Sequence, residues 1–310
     1  MKCFGTLNIT KPLTMAAMLL SAAISLPGIG ALAGSDPTGA AGSAAALGAR
    51  FGELKYEISN NQFQRPLYLH STETADTLSG EIYAMVNQPF ASASTGLSQA
   101  SQWCDVLMLH LNTKFCKETE NGSVGTQLHV AIGKKFDQPV DKAYRVDFVY
   151  KLVARTDKYL QVRLNADEGP LSTRNYLILL EAAPAPSGQT YVRLSYSYSY
   201  GTIAQLAMKA YLATVGRKKV GFTMVRDTPD AKPEPVSGVR GVVERNTMRY
   251  YLAIEAYLGA LNAPAASRVE KSFRDWFLAT ESYPRQLHEM EQGDYLDMKR
   301  KEYQRLQAPS

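Results

Sequence analysis

Three stretches in the middle of the chain alternate apolar and polar residues with a period of two, and this restricts the fold more than anything else in the sequence. In Tyr144-Arg145-Val146-Asp147-Phe148-Val149-Tyr150-Lys151-Leu152 the even positions are aromatic or aliphatic and most odd ones are charged. The same phase returns in Leu160-Gln161-Val162-Arg163-Leu164-Asn165-Ala166 and in Val192-Arg193-Leu194-Ser195-Tyr196-Ser197-Tyr198-Ser199-Tyr200. Successive side chains of a strand point to opposite faces, so each stretch predicts a strand with one dry and one wet face. Tyr176-Leu177-Ile178-Leu179-Leu180 is apolar throughout, the pattern of a strand covered on both faces. Turn formers separate the four: Arg155-Thr156-Asp157-Lys158, Asp167-Glu168-Gly169-Pro170 and Pro184-Ala185-Pro186-Ser187-Gly188. Strands joined by such short turns form an antiparallel meander. Residues 66–71, 78–86 and 126–136 predict three further strands upstream, with looser alternation.

On either side of the meander the apolar spacing changes to three and four. Residues 90–97, opened by Pro89-Phe90, and residues 98–110 predict two short helices. Residues 203–215 place Leu206, Ala207, Ala210, Tyr211 and Ala213 at helical spacing. A longer helix spans 242–261, where Met248, Tyr251, Leu252, Ile254, Leu258 and Leu261 form one broad stripe. Pro264 interrupts it; a further helix carries Val269, Phe273, Trp276 and Phe277, and a charged one covers 294–306. The chain is therefore an α+β protein.

Ahead of these elements, Lys2 and Lys11 precede the apolar run 13–26, which is followed by Pro27, Gly28, Gly30 and the small-residue site Ala31-Leu32-Ala33. This is the order of a secretory signal, with cleavage expected after Ala33. The run is shorter than the roughly 20 residues that cross a bilayer. The expected organisation is a signal peptide at 1–33, a flexible Gly- and Ala-rich leader at 34–50, a main domain at 51–262 with an insertion at 203–236, and a helical extension at 263–310. The product is expected in the periplasm or outside the cell. The formal net charge of +5 comes from 34 Lys and Arg against 29 Asp and Glu, a balance that calls for no nucleic-acid partner. Two cysteines lie beyond the signal, Cys104 and Cys116; in an oxidising compartment such a pair predicts a disulfide, worth about 3 kcal/mol for so short a loop. The rival is a zinc site completed by His110, although the spacing matches no usual zinc pattern. No metal and no cofactor is called for.

The segment Gly80-Glu81-Ile82-Tyr83-Ala84-Met85-Val86-Asn87-Gln88-Pro89-Phe90, continuing through Ala93, Leu97 and Trp103, resembles the START and polyketide-cyclase-like superfamily. There a strand ends in a proline or aromatic residue that starts a short helix, and a Trp closes the helix that follows. The order of elements over residues 66–261 resembles the same group. The resemblance implies a helix-grip fold: a curved antiparallel sheet gripping a long helix near the C-terminus, two short helices after the early strands, and a cavity between sheet and helix. The insertion and the extra helices after Pro264 depart from that pattern.

Several residues then become candidates for a ligand site. Tyr196, Tyr198 and Tyr200 share a strand face and by phase would lie beside Tyr144, Phe148 and Tyr150. They either fill a core or line a cavity that is apolar with a few polar handles, the usual make-up of a small-molecule site. Trp103, Arg249 and Tyr251 are further candidates for the wall, with Arg240 or Arg249 placed to meet a ligand carboxylate and Glu244 and Arg245 to anchor the long helix. Asp105 and His110 could form an acid–base pair, but five residues apart on a helix they do not share a face, and no nucleophile accompanies them. His70 and His129 read as structural histidines. The basic triplet Arg217-Lys218-Lys219 is a solvated turn that could touch anionic lipid headgroups.

The function expected from this pattern is an exported binding protein that holds an apolar small molecule, lipid, sterol or polyketide-like. Two alternatives stand beside it: a small hydrolase or cyclase using Asp105 and His110, and a structural partner in an envelope assembly docking through the helices after Pro264.

Overall fold

The computed structural model of the chain describes residues 43–122, 124–214, 219–226, 228 and 230–307. The signal segment expected at 1–33 and the first part of the leader lie outside these residues. The rest of that leader is helical. Ser43 caps helix α1 (Ala44–Glu53) by accepting a hydrogen bond from the Ala46 N–H at 3.1 Å, and α2 (Lys55–Ser59) follows. Leu47, Phe51, Leu54 and Ile58 recur at helical spacing and are all buried, which is why the segment from Ala44 onward orders. They form a small core on the outer face of the sheet with Tyr83, Tyr159 and Ala183, where Phe51 stacks on Tyr191 with ring centroids 4.1 Å apart.

The hairpin β1 (Leu67–Glu73) and β2 (Thr77–Val86) leads into α3 (Phe90–Leu97) and α4 (Ala100–Leu109). Six strands follow: β3 (Thr113–Asn121), β4 (Gly125–Ile132), β5 (Tyr144–Arg155), β6 (Leu160–Glu168), β7 (Thr173–Pro184) and β8 (Thr190–Tyr200). All eight form one antiparallel sheet in the order β1-β2-β8-β7-β6-β5-β4-β3. The expected meander is thus continuous from β5 to β8, and the last strand returns beside β2. Strand β3 had no alternation to announce it: its second half is exposed sheet edge with Lys117, Glu118 and Glu120. A register shift between Leu152 and Ala154 bends β5 and ends its inward phase.

After β8 come α5 (Thr202–Ala213), the small hairpin β9 (Met224–Val225) and β10 (Glu234–Pro235), and the long helix α6 (Gly238–Ala260). Helix α6 crosses the inner face of the sheet, with Val243, Met248, Tyr251, Leu252, Ile254 and Leu258 fully buried. Its approach to β2 is close because Gly80 has no side chain; a Cβ there would lie 2.2 Å from Thr247 Oγ1. The buried Glu244 ties helix to sheet and insertion, accepting from Ser71 Oγ (2.6 Å) and from the Phe222 and Thr223 N–H groups (2.6 and 2.9 Å).

The C-terminal helices α7 (Ala265–Glu281), α8 (Pro284–Leu287) and α9 (Gln292–Gln307) are part of the principal core, whereas the sequence pattern pointed to an extension. Trp276 Nε1 donates to the Arg249 carbonyl at 3.1 Å and the Tyr295 hydroxyl to the Leu109 carbonyl at 2.8 Å. Cys104 of α4 and Cys116 of β3 are joined as a disulfide with Cα atoms 5.3 Å apart. Among the described residues no helix is long and apolar enough to cross a membrane.

Candidate functional site

The space between the inner face of the sheet and α6 is not filled by side chains: a cavity of about 350 Å³ remains there. Alternation on β8 directs Tyr196, Tyr198 and Tyr200 to this face, and β7 adds Tyr176 beside them. The Tyr176 and Tyr198 rings stack with centroids 5.3 Å apart. From α6, Val239, Val242, Asn246 and Arg249 recur every three or four residues and form the opposite wall, joined by Arg245. The connection after β4 supplies Lys135, the corner between α4 and β3 supplies Asn112, and Leu78 comes from β2. At the mouth stand Gln205 and Met208 of α5, so the insertion forms part of the wall. They are met there by Pro170 and Leu171 of the β6–β7 turn. Leu171 is half exposed and holds a left-handed backbone (φ 56°, ψ 36°), an unfavourable conformation for a leucine.

The polar groups of the wall differ in how they are satisfied. The Tyr176 hydroxyl and Thr173 Oγ1 lie 2.7 Å apart, and the Tyr200 hydroxyl donates to the Thr74 carbonyl at 3.2 Å. The Tyr198 hydroxyl, on a residue only 4% exposed, has no hydrogen-bond partner among the described residues. Burial raises the pKa of both Tyr196 and Tyr198, so both stay neutral donors; Asn246 pulls the first back and Arg245 the second. Arg249 donates to Glu289 Oε1 at 2.8 Å, and Lys135 lies 2.6 Å from the same oxygen. Burial lowers the Lys135 pKa, with Glu289 opposing and Arg249 adding to the depression.

Of the residues expected to line a ligand site, Tyr196, Tyr198, Tyr200 and Arg249 come together at this cavity. The others do not. Tyr144 begins β5 beyond the reach of the helices and is 52% exposed. Phe148 is core, edge-on to Tyr176 and behind the wall. Tyr150 donates its hydroxyl to the Ser98 carbonyl at 2.6 Å, and burial pushes its pKa up to about 12. Trp103 packs in the core with Nε1 on the Leu97 carbonyl. Tyr251 is fully buried, is not among the lining residues, and turns its hydroxyl toward Glu255. Arg240 binds Ser71 and so anchors, with Glu244, the start of α6, while Arg245, expected as an anchor, stands in the cavity wall. Wall residues not foreseen include Tyr176, Lys135, Asn112 and Asn246. Asn246 and Arg245 were visible as polar positions on a helix face otherwise apolar; Lys135 follows a strand end and has no periodicity to mark it.

Asp105 and His110 are not a pair. Asp105 is exposed on the rim of a second cavity of about 210 Å³, between α4, α6 and α7, where the surrounding walls push its carboxyl up to about 6. The solvent on its open side tempers that effect. His110 ends α4 in the core, stacked on Tyr250 (5.0 Å) with Trp276 beyond, and its Nδ1 accepts from the Asn112 N–H. Burial first, then the nearby Arg249 and Lys299, hold its pKa well below the usual value, so it is a neutral ring in the core. His129 bridges Asp147 (2.6 Å) and Thr119 (2.7 Å) on the outer face of the sheet. Lys219, expected in a solvated turn, bonds the His288 carbonyl and lies 3.5 Å from Glu289; Arg217 and Lys218 are outside the described residues.

A curved antiparallel sheet closed around a long helix, with a partly apolar cavity between them, defines the helix-grip class. Solved structures similar to this chain include norcoclaurine synthase from Thalictrum flavum (TM-score 0.31, 15% identity, covering 47% of this chain and 78% of that one). Others are a START superfamily protein from Mycobacterium smegmatis (0.31, 10%, 46% and 90%) and Ara h 8.0201 (0.35, 12%, 62% and 99%). No family model matches the sequence, and no curated protein does.

Proposed function

We propose that this chain is an exported binding protein that holds a small, largely apolar molecule in the cavity between its sheet and α6. The observation that carries the reading is the inner face of β7 and β8: tyrosines line about 350 Å³ of unfilled space, and the Tyr198 hydroxyl there has no partner among the described residues. Interiors are otherwise close-packed, so an apolar occupant answers the unfilled space, and a polar group on it can meet the Tyr198 hydroxyl. Burial of its apolar surface at about 25 cal/mol per Å² supplies the affinity. The volume lies at the low end of the roughly 300–1,000 Å³ of ligand pockets, which favours a compact molecule over a long lipid. Export is supported by the N-terminal pattern and by the Cys104–Cys116 disulfide, a bond that persists in oxidising compartments. The hydrolase or cyclase reading loses its support with Asp105 and His110 facing different surroundings.

Native mass spectrometry of gently purified protein should show a bound small molecule, and a fluorescent apolar probe should bind and be displaced. Tyr198→Phe, which removes a hydroxyl the fold does not use, should leave the melting temperature unchanged or slightly higher. It should weaken a hydrogen-bonding ligand by about fivefold, the size of one such bond. Protein that carries nothing and binds no probe would end this reading.

A further inference from the structure

Thr119, His129 and Asp147 stand on three neighbouring strands, on the face of the sheet turned away from the cavity. Asp147 is opposite His129 in the pairing of β5 with β4. Across β3, Lys117 is opposite His129, and Thr119, two residues further on, is its diagonal neighbour on the same face. The three bond in a chain: His129 Nδ1 lies 2.6 Å from Asp147 Oδ1, and His129 Nε2 lies 2.7 Å from Thr119 Oγ1. Hydroxyl, imidazole and carboxylate in that order activate an oxygen nucleophile, and the arrangement is recognised by its geometry on any scaffold. Arg145 fixes the carboxylate, with its Nε 2.7 and 3.0 Å from the two oxygens. Burial would raise the Asp147 pKa, but the bonds from Arg145 and His129 outweigh it and keep the group anionic. Arg145 Nη2 also stands 2.9 Å from His129 Nδ1. The carboxylate is nearer and is an acceptor only, so the ring proton belongs on Nδ1, which leaves the Nε2 lone pair for the Thr119 hydroxyl.

The chain of groups is open to a substrate: the His129 and Asp147 side chains are 24% and 38% exposed. A hollow of about 480 Å³ opens beside them on the same face. Phe115, Val140 and Ala143 give it an apolar lining, and His129, Lys117 and Arg145 stand in its wall. We propose that Thr119, His129 and Asp147 form a second site, independent of the cavity and of the Asp105 and His110 pairing set aside above, that hydrolyses small esters. The apolar part of the ester lies in the hollow. Thr119 Oγ attacks the carbonyl carbon as its proton passes to His129 Nε2; the bond from that carbon to the alcohol oxygen breaks, and the proton leaves with the alcohol. Water, giving a proton to His129, then attacks the Thr119 acyl ester; the carboxylic acid departs and the proton returns to Thr119 Oγ. The sum is ester plus water to acid plus alcohol. Asp147 holds the ring and stabilises its charged form, and the Lys117 ammonium is the cation placed to meet the negative charge on the carbonyl oxygen.

Hydrolysis of 4-nitrophenyl acetate and 4-nitrophenyl butyrate by the full chain should exceed the protein-free rate and continue past one equivalent, whereas a surface amine is acylated once and stops. Thr119→Ala and His129→Gln should each lower the protein-dependent rate by about a hundredfold, the lower end of what a positioned base contributes. Thr119→Ser keeps the hydroxyl and should retain activity; Asp147→Asn should lower kcat with little change in KM. An alkyl fluorophosphonate should label Thr119 in the wild type, as read by peptide mass spectrometry, and fail to do so in His129→Gln. Circular dichroism and melting curves report the fold of each variant. A cross-strand contact with no chemistry would shift the melts and leave no turnover to lose. Release that stops at one equivalent, turnover that survives Thr119→Ala in folded protein, or label absent from Thr119 would each overturn the proposal and leave ligand binding in the cavity untouched.

Discussion

Two buried lysines share one carboxylate at the base of α4. Lys114 Nζ lies 2.9 Å and Lys299 Nζ 2.7 Å from the two oxygens of Glu302, and all three side chains are shielded from solvent. Lys299 also donates to the His110 and Thr113 carbonyls, at 2.8 and 2.9 Å. Burial, opposed by Glu302 but reinforced by Lys114, brings the Lys299 pKa down to about 8. An unfolded lysine titrates near 10.4, so between these values the unfolded chain holds the proton and the folded one sheds it. Stability from this group therefore rises with pH across that window, opposite to the usual lysine ion pair. Denaturant melts at steps from about pH 8 to 9.5 should show wild-type stability rising, and Lys299→Met should flatten the slope. A wild-type slope of zero or below would refute the assignment. The upper limit matters because buried tyrosines with raised pKa values, Tyr196 and Tyr251 among them, lose their contribution above pH 10. At this scale the sequence was informative about residue phase and poor about destination: Tyr196, Tyr198 and Tyr144 share the alternation, yet only the first two are covered by α6, because coverage depends on where a helix ends in space.

Among the elements, the strands of the meander and the helices around them were legible because each has one buried face and hence a period. Helix α1 was not, since its stripe begins in a segment rich in Gly and Ala whose composition suggested no structure. The edge strand β3 lacked a second buried face to enforce alternation. The packing of α6 on β2 was equally hidden, as it depends on one missing side chain at Gly80 and one hydroxyl at Thr247. Gly80→Ala should lower stability by about 1–3 kcal/mol, the usual cost of overpacking. Thr247→Ala should relieve most of that loss in the double variant; additive losses in chemical denaturation would show that the two residues do not press on each other.

For the whole molecule, the helices after Pro264 decide whether there is a fold at all. Trp276, Phe273, Phe277 and Tyr295 are buried in the same core as the sheet, and removing a buried aromatic typically costs about 3–5 kcal/mol. Losing four together, about 12–20 kcal/mol, is as large as or larger than the roughly 5–15 kcal/mol by which a domain is stable. A chain ending at Ala263 should therefore lose its cooperative thermal transition and its near-ultraviolet circular dichroism; a truncated chain that still melts cooperatively would show the helices to be dispensable. The sequence showed these helices but not what they pack against, because amphipathic periodicity tells that a face is buried and not against what. The composition of the cavity has a last consequence. The chain's two indoles, Trp103 and Trp276, are both outside its wall, while four phenols form one side of it. An occupant should thus leave its optical signature in tyrosine difference absorbance, with indole emission responding only if the backbone around α6 shifts as the guest enters.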